Sequence, residues 1–357
     1  MTLLLSNDDV RALLPMPACL AALEAAYAEL AAGRGASRTR SDTLTRTARP
    51  DALYSLKSMD GVCPSAGVGA VRINSDVLTW PTRDGNVRRE KVPAAPGRRW
   101  VGLVLLFSVE TGEPLALFPD GELQRLRVGA TNGLGAKYLA RPDARVVGLL
   151  GSGWQARGQV EAVCAVRAIE RIRCYSPRRE HREAFAREMS ARVGVEIEPV
   201  ASPEAAVDGA DIVLCATNSI EPVFYARWLA PGLHLSSIKR AEVEPAAIAR
   251  ADRVVLHTHD LAPLYFTEPG IEVPEEAATR AWRAGRGIDF AALPELKDLV
   301  AGRVPGRTAP DQVTCFLNNL GLGYQFAAAG AALYRAARAA GAGRELPTEW
   351  FTQDVHP

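Results

Sequence analysis

The stretch that most constrains this chain runs from Arg145 to Ala156: Arg-Val-Val-Gly-Leu-Leu-Gly-Ser-Gly-Trp-Gln-Ala. An apolar run, 146–150, passes straight into a Gly-x-Gly turn, and a helix-like pattern follows. Bare backbone at such a junction lets an anion approach closely. The helix behind it offers unpaired N–H groups and a positive dipole end, the arrangement that holds a dinucleotide pyrophosphate. Ala156 supplies the third small position, which permits close contact between helix and sheet. The turn begins only at Gly151, so a sizeable region precedes it.

A regular alternation surrounds this junction. Strands are expected at 146–150, 171–176, 195–199, 211–216, 233–238 and 253–258. Helices are expected at 154–168, 178–192 and 203–208, with short ones near 226–229 and 244–250. This pattern predicts an α/β fold with a doubly wound parallel sheet. The earlier part reads differently. Residues 8–32 look helical, with Val10, Leu13, Leu14, Leu20, Leu23, Tyr27 and Leu30 at helical spacing. Short runs at 40–45, 52–57, 70–75, 101–108 and 114–118 read as an antiparallel sheet, with Glu110-Thr-Gly-Glu as a hairpin turn. The polar stretch 80–99 reads as an exposed loop, and 126–139 and 311–340 as helices. A chain of 357 residues is long enough for two domains.

The formal charge is +1 without a basic block, so nucleic acid is not an expected partner. No apolar run reaches membrane-spanning length, and the start, Met1-Thr-Leu-Leu-Leu-Ser-Asn-Asp-Asp, turns acidic too soon for a signal peptide. A cytoplasmic location is therefore expected. The scattered cysteines, Cys19, Cys63, Cys164, Cys174, Cys215 and Cys315, form no Cys-x-x-Cys pair and read as buried thiols. His257-Thr-His-Asp260 has donors at alternate positions, but no third cluster accompanies it, and no metal is expected.

The end of the second strand selects between cofactors. An NAD site places Asp or Glu there to bond the ribose 2′-OH. Here the chain reads Cys174-Tyr-Ser-Pro-Arg-Arg, with Ser176, Arg178 and Arg179 suited to a phosphate. NADP(H) is expected, with NAD(H) as the alternative. The expected cofactor contacts are Gly151, Ser152, Gly153, Trp154, Gln155 and Ala156 in the turn and helix, with Ser176, Arg178 and Arg179 beyond them. Ala216, Thr217, Asn218 and Ser219 after the fourth strand join them, with Ile238 at the end of the fifth and Thr131 in the preceding helix.

Hydride chemistry on an amino or imino acid also needs a cation for the carboxylate. The candidates are Arg40, Lys57, Arg72 and Arg127. Arg72 sits in Ala70-Val-Arg-Ile-Asn, a strand otherwise too apolar for a stray charge. Arg127 opens a run of small residues, Val128-Gly-Ala-Thr-Asn-Gly, where a cation at a helix start asks for an anion nearby. The excess of cations suggests a second substrate carboxylate.

These motifs together resemble the ornithine cyclodeaminase/mu-crystallin family. The resemblance runs from Gly102-Leu-Val-Leu-Leu-Phe-Ser-Val-Glu-Thr-Gly-Glu-Pro-Leu-Ala through Leu126-Arg-Val-Gly-Ala-Thr, Lys137-Tyr-Leu-Ala-Arg, Gly151-Ser-Gly-Trp-Gln-Ala and Ala210-Asp-Ile-Val to Gly306-Arg-Thr. It implies a Rossmann domain, 127–308, inserted in an α+β substrate-binding and dimerisation domain formed by 1–126 and 309–357, and a homodimer. It also implies that Arg127 binds the substrate carboxylate, that Arg72 stands for the family's second-strand lysine, and that Arg40 stands for its first-strand arginine. Lys57 lies where the family has a Val-Met-Pro stretch and is a candidate proton source.

The chain departs from the family at His234-Leu-Ser-Ser-Ile-Lys-Arg-Ala-Glu-Val. Lys239 and Arg240 stand where ornithine cyclodeaminases carry Gly and an Asp that serves the amine chemistry. The family's late Gly-x-x-x-x-Asp is also altered, to Gly321-Leu-Gly-Tyr-Gln. The chemistry expected is therefore nicotinamide-dependent oxidoreduction at the C–N bond of a small imino or amino acid. Lys57, Arg72 and Arg127 are the catalytic candidates, and Arg40, Arg72 and Arg127 hold substrate. The alternatives are a cyclodeaminase-type lyase with bound NAD and a non-enzymatic NADPH-binding protein. The tail from Leu346 is expected to cover the site or the dimer seam.

Overall fold

The computed structural model describes the chain except residues 84–85, 88, 261, 275, 277–287 and 356–357. It divides into two compact units. One comprises Met1–Arg127, Pro263–Ile271 and Gly321–Pro357, the other Val128–Ala262 and Glu272–Leu320. The chain thus crosses between units within the helix Gly121–Leu139 and again at Leu320, with a brief return at 263–271. The expected boundary at 309 differs because the strand Thr314–Leu317 pairs inside the parallel sheet, on both His234–Ser237 and Arg253–Leu256.

That parallel sheet has seven strands, in the order Glu196–Pro199, Arg171–Tyr175, Val146–Leu150, Ile212–Cys215, His234–Ser237, Thr314–Leu317, Arg253–Leu256. Every pairing is parallel. Strand order reverses after Val146–Leu150, which creates a crevice at the carboxyl ends of the strands. The helix Trp154–Val166 packs on one face through buried Ala156 and Val160, and Ala206, Ala247 and Ile248 lie in the core on the other. A methyl group on Gly129 would fall 2.3 Å from the carbonyl oxygen of Gly158, so these two helices touch backbone to backbone.

The other unit is built on a ten-stranded mixed sheet. Its two longest strands, Ala52–Cys63 and Val68–Thr79, pair antiparallel along their whole length. The register sets Asp42 across from Lys57, Lys57 across from Asn74, and Met59 across from Arg72. These side chains share one face, because residues two apart on a strand point the same way. The helices Met16–Ala31 and Gly323–Ala340 belong to this unit, the latter with almost all of its first turns buried. It approaches the sheet closely: methyls on Gly61 and Gly323 would each fall under 2.4 Å from backbone of the other element, at 2.3 and 2.2 Å.

Several expectations need correction. The helix at 8–32 is two, Asn7–Leu13 and Met16–Ala31, because Pro15 cannot continue the first. Residues 311–340 contain a strand before their helix. The expected loop at 80–99 carries short strands, Thr82–Arg83, Asn86–Val87 and Glu90–Val92. Its residues Asp84, Gly85 and Arg88 lie outside those described. The tail forms a strand, Arg344–Leu346, on Thr2–Leu4 at the sheet edge, then a short turn that leaves Trp350 exposed. No single helix among the described residues is long and apolar enough to cross a membrane.

Candidate functional site

In the parallel-sheet unit, the Gly-x-Gly turn sits at the end of the central strand. Gly151 has φ +117°, and a methyl there would fall 2.2 Å from the carbonyl oxygen of Ala216, so only glycine fits. Gly153 caps the helix Trp154–Val166, and a methyl on it would meet nothing within 4 Å. Open space at a helix amino end with unpaired N–H groups suits a phosphate. Ser152 donates to Ser176 Oγ at 2.8 Å, which ties the turn to the end of the second strand. Ala156 is fully buried beneath the turn, while Trp154 is largely exposed.

Beyond Ser176 the two arginines differ. Arg179 pairs with Glu183 at 2.6 Å and points into solvent. Arg178 is exposed, and its guanidinium has no partner among the described residues. The expected pair is therefore one available guanidinium and one already engaged.

Sequence reasoning missed Glu242. It is fully buried and accepts hydrogen bonds from the backbone N–H of Thr217 (2.5 Å), Ile238 (3.2 Å) and Lys239 (3.1 Å), and from the Thr217 hydroxyl (2.6 Å). One carboxylate thus fixes the loops after two neighbouring strands, at the carboxyl edge of the sheet. Burial raises its pKa, against the pull of Lys239 and these donors. The Thr217 hydroxyl proton is consequently committed to Glu242, and Thr217 Oγ1 also accepts from Ser219 N–H. Asn218 is exposed and Ile238 half-buried.

Thr131 is fully buried beside Asn132, which donates to Ser236 Oγ (2.9 Å) and accepts from Asn318 (2.7 Å). Ser237 Oγ is buried without a hydrogen-bond partner among the described residues. A buried orphan acceptor at a strand's carboxyl end is a place for a ligand or ordered water to bond. His257 and His259 do not converge: the first meets the Leu320 carbonyl, the second the Leu293 carbonyl at 2.8 Å.

In the other unit, the expected cations lie in one connected polar band. Arg40 forks onto Asp42, Nε to Oδ1 at 2.7 Å and Nη2 to Oδ2 at 2.8 Å. Lys57 Nζ donates to Asp76 Oδ2 at 2.8 Å. Arg72 Nε donates to Asp120 Oδ2 at 2.7 Å, and Asn74 donates to the same oxygen at 3.0 Å. Arg127 bonds Gln325 Oε1 through Nη1 (2.9 Å) and Gln124 Oε1 through Nη2 (2.8 Å). Its guanidinium also lies 5.2 Å from the Phe326 ring centroid, and that of Arg72 lies 5.6 Å from the same ring.

Arg127 does not open its helix. It lies in the second turn of Gly121–Leu139, so the argument from the helix dipole does not hold. Its case rests instead on burial, which weakens the hold on its proton, with Arg72 adding to the effect. A methyl on Gly321 would fall 2.3 Å from Arg127 Nη1, so the glycine makes room for the guanidinium. Lys57 is almost fully buried. Burial, then Arg89, lowers its pKa to about 8 against the pull of Asp76. The suggestion of a second substrate carboxylate weakens, because Arg40, Lys57 and Arg72 each carry an acid of their own. Asp42, Asp76 and Asp120 were invisible as partners until the register was known.

A family model, the ornithine cyclodeaminase/mu-crystallin family, matches residues 88–340. The chain belongs to that family. It is 30% identical over 320 residues to a Δ1-pyrroline-2-carboxylate reductase of Bacillus cereus, covering 88% of this chain and 90% of that one. Among solved structures it resembles the Thermococcus litoralis Δ1-pyrroline-2-carboxylate reductase in complex with NADH and L-proline. The TM-score is 0.78 and the identity 28%, over 97% of this chain and 100% of that one. The iminosuccinate reductase of Paracoccus denitrificans in complex with NAD+ shares the fold, with TM-score 0.76 at 24% identity over 97% and 99% of the chains.

Proposed function

We propose that this member of the family is a nicotinamide-dependent reductase of a small imino acid, acting at its C–N bond. The observation that carries the reading is the buried Arg127, held by Gln124, Gln325 and the Phe326 ring in a band of matched charges. The relatives named pyrroline-2-carboxylate reductase support the same chemistry. Arg127 receives the carboxylate. Arg72, locked by Asp120, supports it from beside the same ring, and Arg40 borders the band. The matched acids leave room for one substrate carboxylate, so a monocarboxylic imino acid is the favoured class. Lys57 gives the proton that the nitrogen needs when the carbon is reduced.

The residues at the Gly-x-Gly turn fit a dinucleotide: Gly151 tolerates no side chain, space is open at Gly153, and Ser237 Oγ is unpaired among the described residues. When bound, the nicotinamide supplies the hydride. We read the 2′-phosphate form, NADP(H), as preferred, because no acid ends the second strand and Arg178 is available beside Ser176. The lyase alternative is disfavoured by Lys239 and Arg240 standing where the family has its glycine and aspartate, since a cation cannot act as that base.

The outward face of the ten-stranded sheet supports a homodimer. Leu56, Val62, Val101, Leu103 and Phe266 are exposed there, at 38–56%. Large apolar side chains left exposed on one sheet face call for cover. The free cysteines, five of them buried and Cys164 half-buried, fit a cytoplasmic setting. The test is oxidation of NADPH and NADH with cyclic imino acids and with keto acids plus amines. Net consumption with amino-acid product supports the reading. Ammonia release from ornithine without net cofactor turnover refutes it.

A further inference from the structure

The segment expected as a plain loop places a second lysine on the carboxylate that pairs with Lys57. Its strand Glu90–Val92 pairs antiparallel with Val77–Thr79. Lys91 Nζ thereby stands 2.9 Å from Asp76 Oδ1, while Lys57 Nζ bonds the other oxygen, Oδ2, at 2.8 Å. The Lys91 contact is an ion pair lying off the line of an aligned hydrogen bond. The Asp76 side chain is fully buried, that of Lys57 is 4% exposed, and that of Lys91 is 34% exposed. One buried carboxylate therefore faces two ammonium groups, one inside and one reaching water.

The groups facing Lys57 are few in kind. From Ser41–Arg46 comes Asp42, directly across the sheet and already forked by Arg40. From Val68–Thr79 come Asp76 and the neutral Asn74. From the approach to Glu90–Val92 come Arg89 and Lys91, whose charges both add to the lowering that burial begins. Across from Asp76, the fully buried Ser55 leaves its Oγ unpartnered among the described residues.

Resting on the reading of Lys57 as proton donor, we propose that Lys91 is a positioning residue of the reaction. By engaging one oxygen of Asp76 it denies Lys57 an exclusive two-oxygen ion pair and keeps its ammonium ready to release a proton. As the imine carbon takes hydride from the reduced nicotinamide, a C–H bond forms and the C=N π pair moves to nitrogen. The Lys57 Nζ–H bond breaks, an N–H bond forms on the product, and neutral Lys57 regains a proton from solvent. The device depends on the strand Glu90–Val92: among the described residues, the ion-pair partners of Asp76 are Lys57 and Lys91.

The experiment compares full-length Lys91→Met and Lys91→Arg with the wild type. Two quantities are read: the pH dependence of kcat, and the titration of Lys57 by NMR of 13Cε-labelled lysine, assigned with Lys57→Arg. In Lys91→Met the alkaline limb and the Lys57 titration should both move up by about one pH unit. The kcat plateau should fall about tenfold while KM stays within about twofold, because the carboxylate clamp is untouched. Lys91→Arg should restore the wild-type limb. The proposal is overturned if the Lys57 titration stays in place in Lys91→Met, or if Lys91→Arg fails to restore it. A wild type that consumes no reduced nicotinamide with any imino acid defeats the functional reading instead. The NMR titration still passes or fails the Lys91–Lys57 coupling in that case.

Discussion

Gly321→Ala tests whether Arg127 sets the substrate's position. The methyl would arrive 2.3 Å from Nη1, 2.7 Å from Nη2 and 2.8 Å from Cζ of Arg127. An ordinary contact is about 3.5 Å, so the guanidinium must retreat by about 1 Å. It cannot do so freely, because Gln124, Gln325 and the Phe326 ring hold it on three sides. The backbone at Gly321 is not in the left-handed region, so the alanine itself is conformationally acceptable. Overpacking costs about 1–3 kcal/mol of stability, so activity is measured well below the melting midpoint. A displacement of about 1 Å in a positioning group costs about 100-fold in kcat/KM, or about 2.7 kcal/mol of transition-state binding. The assay is NADPH oxidation with a cyclic imino acid, in a cycle with Arg127→Ala. Removing the guanidinium empties the space that the methyl needs, so the two losses should not add. Gly321→Ala reducing the Arg127→Ala enzyme as much as it reduces the wild type would refute the reasoning.

Gly151→Ala should abolish dinucleotide binding, read by fluorescence titration, because the methyl meets the Ala216 carbonyl at 2.2 Å and φ is +117°. Arg178→Ala should weaken NADPH about tenfold and leave NADH unchanged, whereas Arg179→Ala, whose guanidinium is held by Glu183, should alter neither. Equal effects of the two arginines on NADPH affinity would remove the basis for the phosphate preference. Lys57→Met should change the pH dependence of stability. Lys57 releases its proton at about 8 in the folded chain and at the ordinary 10.5 when unfolded. Between those values the unfolded chain binds more protons, so wild-type stability rises with pH relative to Lys57→Met, by up to about 3 kcal/mol. Denaturant melts at several pH values read the difference, and a difference that stays flat across this window counts against the buried, charged lysine.

What could be read from the sequence depended on how local its cause was. The turn at Gly151 declares itself because a glycine pair, an apolar run and a helical period coincide within a few residues. The strand Thr314–Leu317 does not, since Thr-Cys-Phe-Leu is buried throughout and its lack of alternation merges with the Ala-rich helix that follows. Glu90–Val92 is shorter still and carries charges, and only pairing with Val77–Thr79 makes it a strand. The acids of the site were hidden for the same reason. Asp76 and Asp120 become partners of Lys57 and Arg72 only once the strand register is set, and Glu242 reaches the Thr217 loop, separated from it in sequence.

The changes at Arg72 and in the Gly321 motif belong together. The family's second-strand lysine is Arg72 here, and the fifth residue after Gly321, where the family has aspartate, is Phe326. In place of a lysine and a carboxylate stand a guanidinium and the ring 5.6 Å from it, with Arg127 at 5.2 Å from the same ring. A guanidinium keeps its proton throughout the working range, whereas a lysine ammonium can lose one when buried. The planar guanidinium forks of Arg72, Arg127 and Arg40 suit the orientation of an anion. Among the expected site cations Lys57 is the amine, and its lowered pKa of about 8 suits proton exchange. On the proposed reading, Arg72 serves the carboxylate and the proton comes from Lys57 on the neighbouring strand. That strand carries Lys57 where the resemblance puts the family's Val-Met-Pro stretch, and the strand Glu90–Val92 brings Lys91 to the same carboxylate.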